Sequence, residues 1–231
     1  MVGKALAKAC EKYGVKREDL WITSKIPPYL MDYENGKESI RGSVDALSLG
    51  SGYLDLVLIH WPTSIIGEPG LQNRIDTWKA LTEMKEEGLV KSIGVSNFYA
   101  RHLKEFKDKG ITPTVNQIEI HPLYIENETI KMCKEQNIQL VAYAPLATYD
   151  DRLMKSEAVL KLSEKYGKEP HQIVLRWAVD KGFSAIPKSS KPEHVLSNIT
   201  IGDFKLNDDE IRGLDSLNIM FKTDWDPKDE A

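Results

Sequence analysis

The chain has 231 residues, with 31 Lys and Arg against 35 Asp and Glu, a formal net charge of -4 and 41% hydrophobic residues. That composition belongs to an ordinary globular protein and excludes disordered, collagenous and coiled-coil classes. No stretch approaches the roughly 18 consecutive apolar residues of a membrane span, and the charge gives no basic footprint for nucleic acid, so neither a membrane nor a nucleic-acid partner is expected.

From the N-terminus, the stretch MVGKALAKACEKYG has no apolar core of a signal peptide, which predicts a cytoplasmic address. Cys10 and Cys133 stand far apart without Cys/His spacing. They read as buried free thiols in a reducing compartment, not as a metal site or a disulfide framework. Six strand-then-helix units follow. The predicted strands are Leu20–Ile26, Leu54–Trp61, Val90–Val95, Thr114–Ile120, Ile138–Ala144 and Phe183–Pro187. The matching helices fall at 37–49, 74–88, 100–109, 126–136, 156–181 and 192–199. DLVLIH is apolar nearly throughout, which predicts burial on both faces and therefore a parallel sheet covered by helices.

Punctuation agrees. Gly88 and Gly110 follow predicted helices, and Pro192 opens one. LNDDEIRGLDSL, with Asn207 at the cap and acids in the first turn, predicts a last helix ahead of a peripheral polar tail at 218–231. Two architectures fit six such units, a doubly wound sheet or part of a closed barrel. No GxGxxG follows any strand, so the dinucleotide fingerprint of the first is missing. Polar residues gather instead at strand C-termini: Lys25, His60, Ser96 with Asn97, Asn116 with Gln117, Tyr143, and Lys188 with Ser189. In a βα barrel those ends share one rim, where the loops build the site.

These residues lie in stretches that resemble the aldo-keto reductase family: ITSK ending at Lys25, LIHWP around His60, KSIGVSNF from Lys91, VNQIEIHP from Val115, YAPL from Tyr143 and IPKSSKPEHVLSN from Ile186. The resemblance implies an α/β fold of the (β/α)8 TIM-barrel type that binds an extended nicotinamide dinucleotide and reduces aldehydes or ketones to alcohols. It also implies two further βα units ahead of VGKAL, carrying the Asp and Tyr of the family's Asp/Tyr/Lys/His group. Only Lys25 and His60 have counterparts here, and no other Tyr occupies the matching motif. The expected molecule is thus N-terminally truncated to six βα units, one barrel domain over 1–231 with a C-terminal helix and tail at about 206–231. It is expected to act as a monomer on a small-molecule carbonyl substrate.

By the same resemblance Lys25 and His60 are catalytic. Hydride transfer to a carbonyl carbon leaves charge on its oxygen, which a hydrogen-bond donor and a nearby ammonium stabilise. By spacing alone a strand-end Lys is a solvated rim residue and such a His a hydrogen-bonded core group. Trp61 offers an apolar wall for substrate. Ser96, Asn97 and Gln117 suit a carboxamide, Tyr143 a ring face, and Lys188 and Ser189 a phosphate ahead of a helix. His194 stands where the family has an Arg gripping the adenosine 2′-phosphate, and a neutral imidazole grips phosphate less well than a guanidinium. NADPH is the expected cofactor, with NADH possible, and Asn198 keeps the adenine contact. His102, His121 and His171 receive no role, and His102 and His171 read as surface or cap residues. A cofactor-binding regulator or an inactive truncated reductase is the alternative.

Overall fold

The computed structural model describes residues 2–47, 52–64 and 70–226. These divide into two compact units, one reaching Asn116 and the other covering Gln117–Asp226.

The first unit contains α1 (Val2–Tyr13), β1 (Thr23–Ile26), α2 (Tyr33–Leu47), β2 (Leu54–Ile59), α3 (Leu71–Glu86), β3 (Val90–Ser96), α4 (Ala100–Asp108) and the start of β4 (Val115–Glu119). Its strands lie side by side in chain order. β1 pairs with β2 and β2 with β3, both parallel, with Lys25 opposite Leu58 and Ile59 opposite Val95. Every residue of β2 is buried, as the nearly continuous apolar run predicts. Ile40 of α2 and Leu81 and Met84 of α3 close the core with Leu56 and Leu58. Within that apolar run Asp55 is buried too, and it is paired with Arg17 at 2.7 Å and with the Ile22 amide at 2.9 Å. Burial alone would raise its pKa, but the Ile22 and Arg17 hydrogen bonds hold it below the ordinary carboxyl value. A Cβ on Gly94 would stand 2.6 Å from the Val115 carbonyl oxygen, so only glycine lets β3 approach the start of β4 this closely.

The second unit holds the rest of β4, α5 (Asn127–Glu135), β5 (Gln139–Tyr143), α6 (Asp151–Met154), α7 (Glu157–Tyr166), α8 (Pro170–Asp180), β6 (Ser184–Ala185), α9 (Pro192–Ile199) and α10 (Asp208–Asp215). Its strands again follow chain order, and β5 and β6 pair in parallel. Leu140, Ala142, Ile173, Val174 and the fully buried Trp177 form its core. The Trp177 indole donates to Asp215 at 2.8 Å, fastening α10 to α8.

Several expectations need correction. The helix read over 156–181 is two, α7 and α8, because Gly167 takes a left-handed conformation and Pro170 starts a new helix. The helix expected from 37 begins at Tyr33, and 48–49 lie outside the described residues. β6 has only two residues, and α1 was not anticipated as a helix. His102 and His171 are not surface residues but buried, although His102 does cap α4 by accepting the Tyr99 amide at 3.1 Å. Cys133 is buried as expected, whereas Cys10 is partly exposed. The capping box at Asn207 forms as read, with Asn207 accepting from the Glu210 amide at 3.0 Å and Glu210 from the Asn207 amide at 2.8 Å. The tail from 218 does not trail away: through 226 it is hydrogen-bonded to the second unit's strands and turns, and 227–231 lie outside the described residues.

Candidate active site

In the first unit the rim is built by backbone register. Lys25 is the penultimate residue of β1 and is half-buried. His60 follows β2 directly, and its amide donates to the Ile26 carbonyl at 3.0 Å, so Lys25 and His60 occupy the same end of neighbouring parallel strands. Trp61 stacks on the His60 ring, with centroids 5.8 Å apart and planes at 26°. Ser96 ends β3, and Asn97 then turns left-handed at φ 62, a conformation Asn tolerates better than most residues. That turn sends the Asn97 amide back to the His60 carbonyl at 3.0 Å and to the Ser96 hydroxyl at 3.2 Å. Asn97 therefore fixes the backbone that carries the histidine. On the other side Arg74 of α3, 2% exposed, donates to the Pro62 carbonyl at 2.6 Å and pairs with Glu105 at 2.6 Å. The segment His60–Pro62 is thus held from two directions.

In the second unit Gln117 is buried in β4, and Tyr143, half-buried, ends β5. Burial, with the charge of Glu119, pushes the Tyr143 phenol well above its ordinary value, so it stays protonated. The chain beyond it is left-handed at Ala144, Ala147, Thr148 and Tyr149. This loop and Ile186, Pro187 and Lys188 line a cavity of about 410 Å³. Next to it α9 starts behind Lys191 with Pro192 in its first turn, and the Ser189 hydroxyl accepts the Lys191 amide at 3.1 Å. His194 is exposed in that first turn, and Asn198 is buried in the last. His171 ties the loop to α9: one ring nitrogen meets the Tyr149 hydroxyl at 3.1 Å and the other the Ser197 hydroxyl at 2.8 Å. Burial pulls its pKa below the ordinary imidazole value. A larger hollow of about 610 Å³ is lined only by residues around α7 and α10, such as Glu157, Lys161 and Glu210, and carries no strand-end residue.

In the first unit Lys25, His60, Trp61, Ser96 and Asn97 share neighbouring strand ends, whereas in the second Lys188 alone of the expected residues lines the cavity, Ser189 precedes α9, His194 and Asn198 lie on it, and Gln117 and Tyr143 lie on β4 and β5. Sequence reasoning passed over Arg74, Glu119 and Lys222. Glu119 had a signal, since it lies two residues from Gln117 on one strand and so shares its face. Lys222, in a short polar tail, had none.

The second unit's donors fit a dinucleotide. The cavity wall offers apolar and aromatic surface with a cation at its edge, and a helix start flanked by Lys191 favours phosphate. Among the described residues no group of three or more His, Cys, Asp or Glu could hold a metal ion, and no helix is long and apolar enough to cross a membrane.

Parallel βα units with polar residues at the strand ends are those of an α/β fold of the (β/α)8 type. The sequence model of the "Aldo/keto reductase family" matches residues 1–219. Methylglyoxal reductase DkgA of Escherichia coli is 38% identical over 94% of this chain and 74% of its own length. An aldo-keto reductase from a deep-sea metagenome of the Medee basin superposes with a TM-score of 0.90 at 32% identity, over 99% of this chain and 82% of that one. A Bombyx mori aldo-keto reductase in complex with NADP does so with a TM-score of 0.90 at 28% identity, over 98% and 76%. The chain belongs to the aldo/keto reductase family. It is an oxidoreductase of carbonyl compounds, and a second Bombyx mori neighbour, 29% identical, is complexed with NADPH.

Proposed function

We propose that Lys25 and His60 serve the carbonyl in this reductase, that Trp61 walls the substrate, and that Ser96, Asn97, Gln117, Tyr143, Lys188, Ser189, His194 and Asn198 hold the cofactor. The observation that carries this reading is the Asn97 bridge. A buried, left-handed Asn spends its amide on the His60 carbonyl, which is a costly way to hold a residue that only packs. When bound, NADPH would supply the hydride for the carbonyl carbon. His60 donates a hydrogen bond to the carbonyl oxygen and orients it, while the Lys25 ammonium favours the ionised form of an adjacent acid and offsets charge gathering on that oxygen. Lys188 and Lys191 attract phosphate, and Tyr143 offers its ring to the nicotinamide.

Because no residue among the 231 matches the family's Asp and Tyr, the test uses a protein in which a segment carrying both precedes Val2. In it Lys25→Met and His60→Ala are each expected to lower kcat about 10²- to 10⁴-fold with methylglyoxal, the substrate named for the DkgA relative, while NADPH affinity stays within about threefold. Turnover indifferent to both changes refutes the assignment. The regulatory alternative predicts NADPH binding without turnover even in that protein, and the reductases among its relatives do not favour it. The (β/α)8-type barrel, a monomeric state and a cytoplasmic address belong to the same proposal. Gel filtration and fractionation of the source cells test the last two.

A further inference from the structure

The C-terminal segment 218–226 mixes apolar and polar residues, and both its backbone and its side chains are hydrogen-bonded to the rest of the second unit. The Asn218 side chain brackets Ile125, accepting its amide at 3.1 Å and donating to its carbonyl at 3.0 Å. The amides of Ile219 and Phe221 both reach the Leu123 carbonyl, at 3.3 and 2.9 Å, across a left-handed Met220. Phe221 lies beneath the Arg152 guanidinium at 3.7 Å. The next three residues converge on one side chain. Glu119, 1% exposed, accepts from the Thr223 amide and hydroxyl at 2.6 Å each, the Asp224 amide at 3.2 Å, His121 Nε2 at 2.9 Å and Lys222 Nζ at 3.1 Å.

Fastening a strap does not require a buried ammonium. Apolar residues hold such segments without the desolvation that a carboxylate and a cation incur together. What Lys222 does that an apolar residue cannot is donate a second hydrogen bond, at 3.1 Å, to the Tyr143 hydroxyl. Its side chain is only 9% exposed, and its Nζ lies 5.5 Å from the Tyr143 ring centroid and 5.3 Å from that of Tyr124. A phenol tethered at its hydroxyl keeps the plane and height of its ring, and the tether is itself anchored on β4 through Glu119, on the face that also carries Gln117.

We propose that Lys222 is a positioning residue: anchored by Glu119, it fixes the Tyr143 ring so that the strap sets the surface on which the nicotinamide stacks. This rests on the reading that Tyr143 faces the nicotinamide, and the test separates the two. The 231-residue protein is titrated with NADPH by fluorescence and, in parallel, with 2′,5′-ADP, which has the adenosine phosphates but no nicotinamide. Lys222→Met is expected to weaken NADPH about five- to tenfold and to leave 2′,5′-ADP within about twofold, and Tyr143→Phe, which removes only the hydroxyl, to do the same. The double variant should be no weaker than either single one, and Lys222→Arg should restore most of the affinity, since it can still donate to both partners.

Equal weakening of both ligands by Lys222→Met would mean that the strap supports the fold alone, and the proposal falls. It also falls if Tyr143→Ala weakens NADPH while Lys222→Met and Tyr143→Phe do not, with the stacking reading left standing. If Tyr143→Ala leaves NADPH untouched, the stacking reading itself falls. Should Lys222→Met fail to fold, Tyr143→Phe still decides, because a merely structural strap predicts no selective loss of NADPH over 2′,5′-ADP.

Discussion

Acid should loosen the second unit in a way that one residue dictates. Burial would push the Glu119 carboxyl up, but hydrogen bonds from His121 and Thr223 and the Lys222 charge overcome it and hold the pKa at about 2 against the ordinary 4.5. The folded value lies below the unfolded one, so the unfolded chain takes up the proton first. The stabilisation is then fully present above about pH 5 and drains away as the pH falls toward about 2. At about 1.4 kcal/mol for each tenfold change in proton activity, the difference amounts to about 3 kcal/mol. Glu119→Gln removes the titration while nearly keeping the shape, though it leaves the Lys222 ammonium without its anion and should be less stable at neutral pH. Urea unfolding followed by tryptophan fluorescence, at half-unit steps from pH 7 to pH 3, measures both chains. The parent is expected to lose stability more steeply than the variant below pH 5, so that the two curves converge. Parallel curves across that range would refute the reasoning, because they would mean that Glu119 binds its proton equally in the folded and unfolded chains.

Gly94→Ala places a methyl 2.6 Å from the Val115 carbonyl and 2.9 Å from Leu58 Cδ2, and is expected to cost about 1–3 kcal/mol by urea midpoint; an unchanged midpoint would show that β3 and β4 can separate freely. Arg74→Met strips the Pro62 carbonyl of its donor while Glu105, about a third exposed, can turn to water, so a loss of about 1–3 kcal/mol is expected in thermal melts. His194→Arg should tighten NADPH about tenfold or more over NADH in fluorescence titrations, because only NADPH carries a 2′-phosphate for two charge-assisted hydrogen bonds; equal gains would remove this position from the phosphate.

The parts of the fold that could be read from the sequence are those where one local force decides. Leu54–Ile59 is apolar at every position except Asp55, and complete burial in a strand is the only arrangement that satisfies it. Gly88 ends α3 with φ 81, where a side chain would be strained. The break at Gly167 was overlooked because an amphipathic pattern continues on both sides of it, although Glu169–Pro170 carries a start signal of its own. Lys25, His60 and Ser96 could be located because each is a polar residue at the end of an apolar strand, while the roles expected of them came from the family resemblance. The hold of Asn97 on His60 could not, since it depends on one backbone angle. The Glu119 cluster depends on residues about a hundred positions apart, and no local pattern links them.

The loop after β5 holds Ala144, Ala147, Thr148 and Tyr149 in left-handed backbone conformations without a glycine among them. Each such residue strains the native chain by about 1–2 kcal/mol, but each also has far fewer alternative conformations than glycine would have. The wall of the 410 Å³ cavity is therefore stiff before anything enters it. A ligand that settles there has little chain left to order, so its association should lose less conformational entropy than at a glycine-rich phosphate loop. Glycines introduced along this stretch would ease the backbone and yet weaken binding, an opposition between local comfort and affinity that marks a surface shaped in advance.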